Sequence, residues 1–271
     1  MDDSVIEAIN LLSVLDLQAM KHAGEKITCL TAYDASFSAL IDTVGIDIIL
    51  VGDSVGMVIQ GQPSTLSVTV DDMIYHTRCV TRARKRTFVM ADLPFMSYST
   101  PQIAAENAAR LVREAGAQMV KLEGARFETV RFLVAEGIPV CGHLGLLPQS
   151  VNLAGGYKVR GRSVADAELI IEQAIDLERA GSSMLVVECV PAALAKQISQ
   201  QVDIPVIGIG AGVDCDGQVL VLHDMLNITL GKHPRFVKNF MHGADSIEAA
   251  IQAYKLAVKR AEFPGQEHSY A

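Results

Sequence analysis

Eight short apolar runs punctuate the sequence: ITCLTAY at 27–33, IDIILVG at 46–52, TFVMAD at 87–92, MVKLE at 119–123, PVCGH at 139–143, MLVVEC at 184–189, PVIGI at 205–209 and VLVLH at 219–223. Runs this rich in Val, Ile and Leu belong to strands buried on both faces, as parallel sheets require. Parallel neighbours need crossover segments, and amphipathic stretches supply them at 35–43, 70–84, 101–115, 127–136, 164–180 and 191–200. Thr100-Pro101 is an N-cap followed by proline in the first turn, and Ser163 caps a helix that ends at Gly181. The gap between the last two runs is too short for a full crossover and predicts a turn or one short helix. A helix at 14–23 is expected to close the barrel floor, and one at 246–261 to follow the eighth strand.

Eight strands with helices between them favour a TIM (β/α)8 barrel over a doubly wound sheet. The 271 residues suit one α/β domain spanning 1–271, with no linker or low-complexity segment inside it. With no Trp and aromatics at 5%, aliphatic packing must carry the core. A net charge of −8 argues against broad binding to nucleic acid or anionic membranes and leaves small molecules as the expected partners. The opening MDDSVIEAIN lacks the basic and apolar regions of a signal peptide, and no apolar run reaches the ~18 residues that cross a bilayer. A soluble, cytoplasmic protein is expected. The five cysteines, an odd number with no C-x-x-C pair, indicate neither a disulfide framework nor a zinc site, and Cys29, Cys141 and Cys189, inside apolar runs, read as small buried hydrophobes.

In such a barrel the chemistry sits where each strand stops. Asp53 and Ser54 stand at the end of the second run, Asp92 at the third, Lys121 and Glu123 at the fourth, His143 at the fifth and Glu188 at the sixth. Asp53, Asp92 and Glu123 cannot all be ionised close together without a compensating charge. Oxygen ligands without cysteine select a hard divalent cation such as Mg²⁺, although each acid taken alone equally suits a helix cap or an arginine partner. Lys121 shares a strand face with Glu123. It is suited to holding a substrate carboxylate, to forming a Schiff base, or simply to pairing with that acid. Glu188, partly desolvated at a strand end, suits a general base as well as a structural acid, whereas His143 reads first as structural. GIGAG at 208–212 lacks dinucleotide-site spacing and reads as a tight turn. LAGGYKVRGR at 153–162 reads as a mobile lid after the fifth strand.

Several strings, in this order, carry a resemblance to a known family: TAYD (31–34), LVGDSVGM (50–57), ADLPFM (91–96), VKLEG (120–124), VCGHLGLLPQSVN (140–152), GGYKVRGR (155–162), VECVP (187–191), PVIGIGAG (205–212) and KNF (238–240). From about residue 14 onward the chain resembles the ketopantoate (3-methyl-2-oxobutanoate) hydroxymethyltransferases of pantothenate and coenzyme A biosynthesis. The resemblance implies a TIM barrel of the phosphoenolpyruvate/pyruvate superfamily type. It implies transfer of a hydroxymethyl group from 5,10-methylenetetrahydrofolate, as co-substrate, to 3-methyl-2-oxobutanoate through a Mg²⁺-stabilised enolate, giving 2-dehydropantoate. Asp53, Asp92 and Glu123 then match the family's metal site, with one Mg²⁺ per subunit. Asp53, Ser54, Asp92 and Lys121 match its substrate contacts and Glu188 its proton acceptor. A homo-oligomer, commonly a decamer, is implied as well.

Two departures stand out. Ser67 occupies a position where the family has proline, and the first dozen residues match no family string. Two other readings remain beside the resemblance. One is a lyase or aldolase of the same barrel superfamily, and the other is a non-catalytic barrel that binds a metabolite.

Overall fold

The computed structural model describes residues 11–229, 231 and 233–271. The opening segment MDDSVIEAIN, read above as lacking a leader, lies outside the described residues. Eight parallel strands close a barrel in sequence order: β1 (Ile27–Thr31), β2 (Ile48–Val51), β3 (Phe88–Asp92), β4 (Met119–Glu123), β5 (Val140–Gly145), β6 (Met184–Glu188), β7 (Val206–Ile209) and β8 (Gly217–Leu220). The helices run in chain order as α1 (Val14–His22), α2 (Ala35–Val44), α3 (Val55–Val58), α4 (Val70–Ala83), α5 (Pro101–Ala115) and α6 (Phe127–Ala135). They continue as α7 (Val151–Ala154), α8 (Val164–Arg179), α9 (Ala192–Gln201), α10 (Leu222–Met225) and α11 (Ile247–Lys259). No helix among the described residues is long and apolar enough to cross a membrane.

The helix starts follow the sequence signals. Thr100 Oγ1 accepts from the Ile103 amide ahead of Pro101, and Ser163 Oγ accepts from the Asp166 amide. The one-turn helices α3, α7 and α10 are too short to leave an amphipathic period. β8 begins two residues earlier than its apolar run. Gly217 lets the backbone approach β1 so closely that a Cβ there would lie 2.4 Å from the Ile27 carbonyl oxygen. The end of the run instead turns into α10, with the Leu222 amide donating to Thr31 Oγ1 at 3.0 Å. Between β7 and β8 the chain makes a turn with no helix. The β1–β8 seam is pinned from outside by the Tyr254 hydroxyl of α11, which donates to the carbonyls of Cys29 and Gln218 at 2.8 Å each.

The inward face of each strand changes character along its length. On β4 the inward residues are Met119, Lys121 and Glu123, while Val120 and Leu122 pack outward against the helices. On β3 the inward series is Phe88, Met90, Asp92, and on β6 it is Met184, Val186, Glu188. The lower layers thus form an apolar plug with Cys29, Cys141, Ile48 and Ile207, and α1 seals it from below through Leu17 and Val14. Lys21 holds α1 in place by bonding Asp216 and the carbonyls of Ser199, Val202 and Ile204 at 2.8–3.0 Å. Only the top layer is polar. Cys29, Cys141, Cys189 and Cys215 are buried and all five cysteines are free. Ser67 is exposed at the end of a 3-10 turn.

Candidate active site

All seven residues singled out at the strand ends come to the C-terminal mouth of the barrel. Asp53 and Ser54 follow β2, Asp92 ends β3, Lys121 and Glu123 lie on β4, His143 lies on β5 and Glu188 ends β6. Lys121 Nζ stands 3.0 Å from Asp92 Oδ1, and the Asp53 amide donates to Asp92 Oδ2 at 3.0 Å. On the other side Lys121 Nζ is 3.5 Å from His143 Nδ1, and His143 Nε2 is 3.2 Å from Glu188 Oε2. A lysine ammonium has only protons to offer, so His143 Nδ1 is the accepting nitrogen and Nε2 carries the hydrogen facing Glu188. Nε2 makes no hydrogen bond there, so His143 touches Glu188 without neutralising it.

Burial sets the protonation states. It pushes the Asp53 carboxyl up to about 7, with Asp92 adding to the shift and Lys121 and Gln149 opposing it. Glu123 is held well above the usual carboxylate range by burial, against the pull of Lys121. Glu188 is pushed up to about 8 by burial, with Lys121 opposing and Asp92 adding. Burial and the neighbouring Lys121 keep His143 well below its ordinary value, hence neutral. For Lys121 three acids, Asp92, Glu123 and Asp53, outweigh burial and lock the ammonium on. A Schiff-base lysine needs the opposite shift, so this environment argues for a carboxylate-holding cation.

Two side chains that carried no signal of their own complete the site. Gln149, in a 3-10 turn after β5, donates from Nε2 to Asp53 Oδ2 at 2.8 Å and to the Leu93 carbonyl at 3.0 Å. Its backbone N–H donates to Glu123 Oε2 at 3.0 Å, and the Tyr98 hydroxyl donates to its Oε1. Tyr33 shares a 2.7 Å hydrogen bond with Ser54 Oγ and so fixes where that hydroxyl points. Both lie inside quoted strings, TAYD and LLPQS, but their chemistry depends on contacts across the barrel that no local pattern reports. A cavity of about 280 Å³ opens beside Glu123 and Gln149, walled by Phe95, Met96, Tyr98 and Leu147 with Arg126 at its rim.

The donor set fits a hard cation. Asp53, Asp92 and Glu123 crowd one ammonium, their donors are all oxygen, and buried Asp92 Oδ1 has no hydrogen-bond partner beyond its ionic contact with Lys121. Among the described residues no three His, Cys, Asp or Glu side chains are arranged as a ready-made ligand cluster. Glu123 is linked to Asp53 through Gln149. An ion that takes one or two carboxylates and fills its shell with water and substrate, as Mg²⁺ does, suits this arrangement.

A sequence model of the ketopantoate hydroxymethyltransferase family matches residues 12–266. The chain belongs to that family. It is 60% identical to a 3-methyl-2-oxobutanoate hydroxymethyltransferase of Nitrosococcus oceani over 96% of this chain and 99% of the relative. It is 56% identical to 3-methyl-2-oxobutanoate hydroxymethyltransferase 1 of Burkholderia cenocepacia over 96% of each. Among solved structures, the fold is similar to phosphoenolpyruvate phosphomutase from Streptomyces platensis, with a TM-score of 0.59, 13% identity and coverage of 78% and 82% of the two chains. It is similar too to 2,3-dimethylmalate lyase, a PEP mutase/isocitrate lyase superfamily member, with a TM-score of 0.57, 16% identity and coverage of 78% and 81%. At such identities these two speak for the barrel alone. They agree with the TIM barrel expected from the sequence.

Proposed function

We propose that the protein transfers a hydroxymethyl group from 5,10-methylenetetrahydrofolate to 3-methyl-2-oxobutanoate, giving 2-dehydropantoate for pantothenate synthesis. The observation that carries this reading is the opposition of Glu188 to Ser54 across the mouth. β2 and β6 lie four strands apart in a barrel of eight, so a small 2-oxoacid held from the β2 and β4 side presents its carbon chain toward β6. Membership of the family supplies the substrate class.

Lys121 and Ser54 hold the substrate carboxylate, Lys121 by charge and Ser54 through a hydroxyl oriented by Tyr33. Asp53, Asp92 and Glu123 are the side chains that would hold Mg²⁺, one per subunit. When bound, the ion polarises the 2-oxo group and offsets the acids' charge. Glu188 takes the C3 proton onto its carboxylate, and the C–H electron pair becomes the enolate double bond. The methylene carbon of the folate is bonded to two nitrogens, and the ring opens at one C–N bond, whose nitrogen takes a proton. The enolate carbon attacks the resulting iminium carbon. Water then supplies the hydroxyl oxygen as the second C–N bond breaks and gives its proton to the departing nitrogen, releasing tetrahydrofolate. Neutral His143 lies against Glu188 and takes no proton itself. Assembly as a homo-oligomer, a decamer in the family, belongs to the same proposal and is measurable by sedimentation.

The decisive experiment follows solvent deuterium into C3 of 3-methyl-2-oxobutanoate with Mg²⁺ present. Glu188→Gln is expected to bind the 2-oxoacid and exchange nothing. Exchange at the wild-type rate would remove Glu188 as the base. Turnover that continues without folate would point instead to a lyase.

A further inference from the structure

The residue after Glu188 is held from three directions. Cys189 has φ +48°, a left-handed conformation that costs a side-chain-bearing residue about 1–2 kcal/mol and persists only where its surroundings enforce it. Its N–H donates to the Ile209 carbonyl of β7 at 2.9 Å, and its carbonyl accepts from the Arg160 amide at 3.0 Å. Its buried thiol lies against the Tyr270 hydroxyl.

Tyr270 reaches this turn from far along the chain, and the packing around it is specific. Pro191 pairs with Tyr270 in an isolated parallel bridge. The helix α9 starts on a proline that offers no side-chain cap, and its Ala192 amide donates to the Tyr270 carbonyl at 3.0 Å. The ring rests over Gly210 in GIGAG, where a Cβ would come 3.1 Å from Tyr270 Cε2 and 2.9 Å from Phe236 Cδ1. The Arg235 guanidinium sits 5.8 Å from the ring centroid and donates to the Glu267 carbonyl at 2.9 Å. The glycine turn thus serves as a seat for this ring.

We propose that segment 265–270 is a strap across the β6–α9 turn and that Tyr270 is a positioning residue for Glu188. The ring wedges Cys189 into its left-handed turn and thereby sets the direction in which the Glu188 carboxylate leaves the strand. The proposal rests on Glu188 being the base. Substrate binding is left alone, because Ser54, Lys121 and the metal acids sit on other strands.

The test measures C3–H exchange of 3-methyl-2-oxobutanoate with solvent deuterium, with Mg²⁺ and the intact chain, for Tyr270→Ala, Tyr270→Phe, Arg235→Ala and Glu188→Gln. Tyr270→Ala is expected to lower the exchange kcat about 10- to 100-fold, the range for a small misplacement of a reacting group, with KM for the 2-oxoacid and Tm unchanged. Tyr270→Phe restores the wedge and most of the rate. Arg235→Ala, at the exposed side of the ring, weakens exchange in the same direction by a smaller factor. Wild-type exchange in Tyr270→Ala, a parallel rise in KM with a fall in Tm, or no recovery in Tyr270→Phe would overturn the strap. Normal exchange in Glu188→Gln would instead overturn the base assignment beneath it.

Discussion

Gln149 Nε2 donates to Asp53 Oδ2 at 2.8 Å while the Gln149 amide holds Glu123 Oε2 at 3.0 Å, so one residue of the β5 loop sets the outward oxygens of two acids on different strands. Each acid then has one oxygen committed to Gln149. Partners that orient ligands in this way affect metal affinity by about 10- to 100-fold. Gln149→Leu is expected to weaken Mg²⁺ binding within that range, measured by titration calorimetry without substrate. Affinity equal to wild type would show that the acids are already fixed by their strands.

Gly145 makes a different demand on the same site. It has φ +92°, and a Cβ on it would fall 2.2 Å from the Glu188 carbonyl oxygen, which accepts from the Leu146 amide at 2.8 Å. The glycine is needed both for its backbone angle and for the close approach of β5 to β6. Gly145→Ala is expected to cost about 2 kcal/mol or more of stability, seen in chemical denaturation. Any folded fraction should bind 3-methyl-2-oxobutanoate yet exchange its C3–H slowly, because the displaced backbone carries Glu188. A variant as stable and as active as wild type would mean that the two strands can part at no cost.

The architecture was legible in the sequence because a parallel barrel writes itself locally. Strands buried on both faces leave unbroken apolar runs, and crossover helices leave caps such as Thr100 and Ser163. The polar ends of those runs marked Asp53, Asp92, Lys121, Glu123 and Glu188, since an acid closing an apolar strand has few other places to be. Gln149 and Tyr33 left no such mark. Their roles arise from pairings 96 and 21 residues apart in sequence, and glutamine and tyrosine are common in turns and cores for other reasons. β8 was displaced by two residues because Gly217, which reads as a breaker, is what lets the seam close.

The loop at 155–162 is expected to behave as a lid. Tyr157 is 52% exposed, and its hydroxyl is raised by burial and then by the negative field of Glu188, Asp53 and Glu123. The far end of the loop is fastened, because Arg160 pairs with Asp166 at 2.6 Å and its amide bonds Cys189. Cleavage by trypsin after Lys158 should therefore slow several-fold when Mg²⁺ and the 2-oxoacid are bound, followed by mass spectrometry. Equal cleavage with and without them would leave the loop as a fixed rim.

Below the barrel, stability should depend on pH through Asp47. Burial alone would raise its carboxyl, but the Lys259 ammonium at 2.8 Å and the amide and hydroxyl of Thr28 outweigh burial and hold it below the usual range. A depressed folded value means that the stabilising contribution is present above the unfolded pKa of about 3.9 and fades as pH falls through the folded one. Lys259 and Arg86 are partly exposed, so solvent screens the pairing. Asp47→Asn should then cost about 1–3 kcal/mol at pH 7, measured by urea unfolding. The gap between wild type and variant should hold from pH 7 to about pH 5 and narrow below about pH 4. A gap that stays constant down to pH 3 would assign the loss to packing around Thr28 instead of the carboxylate charge.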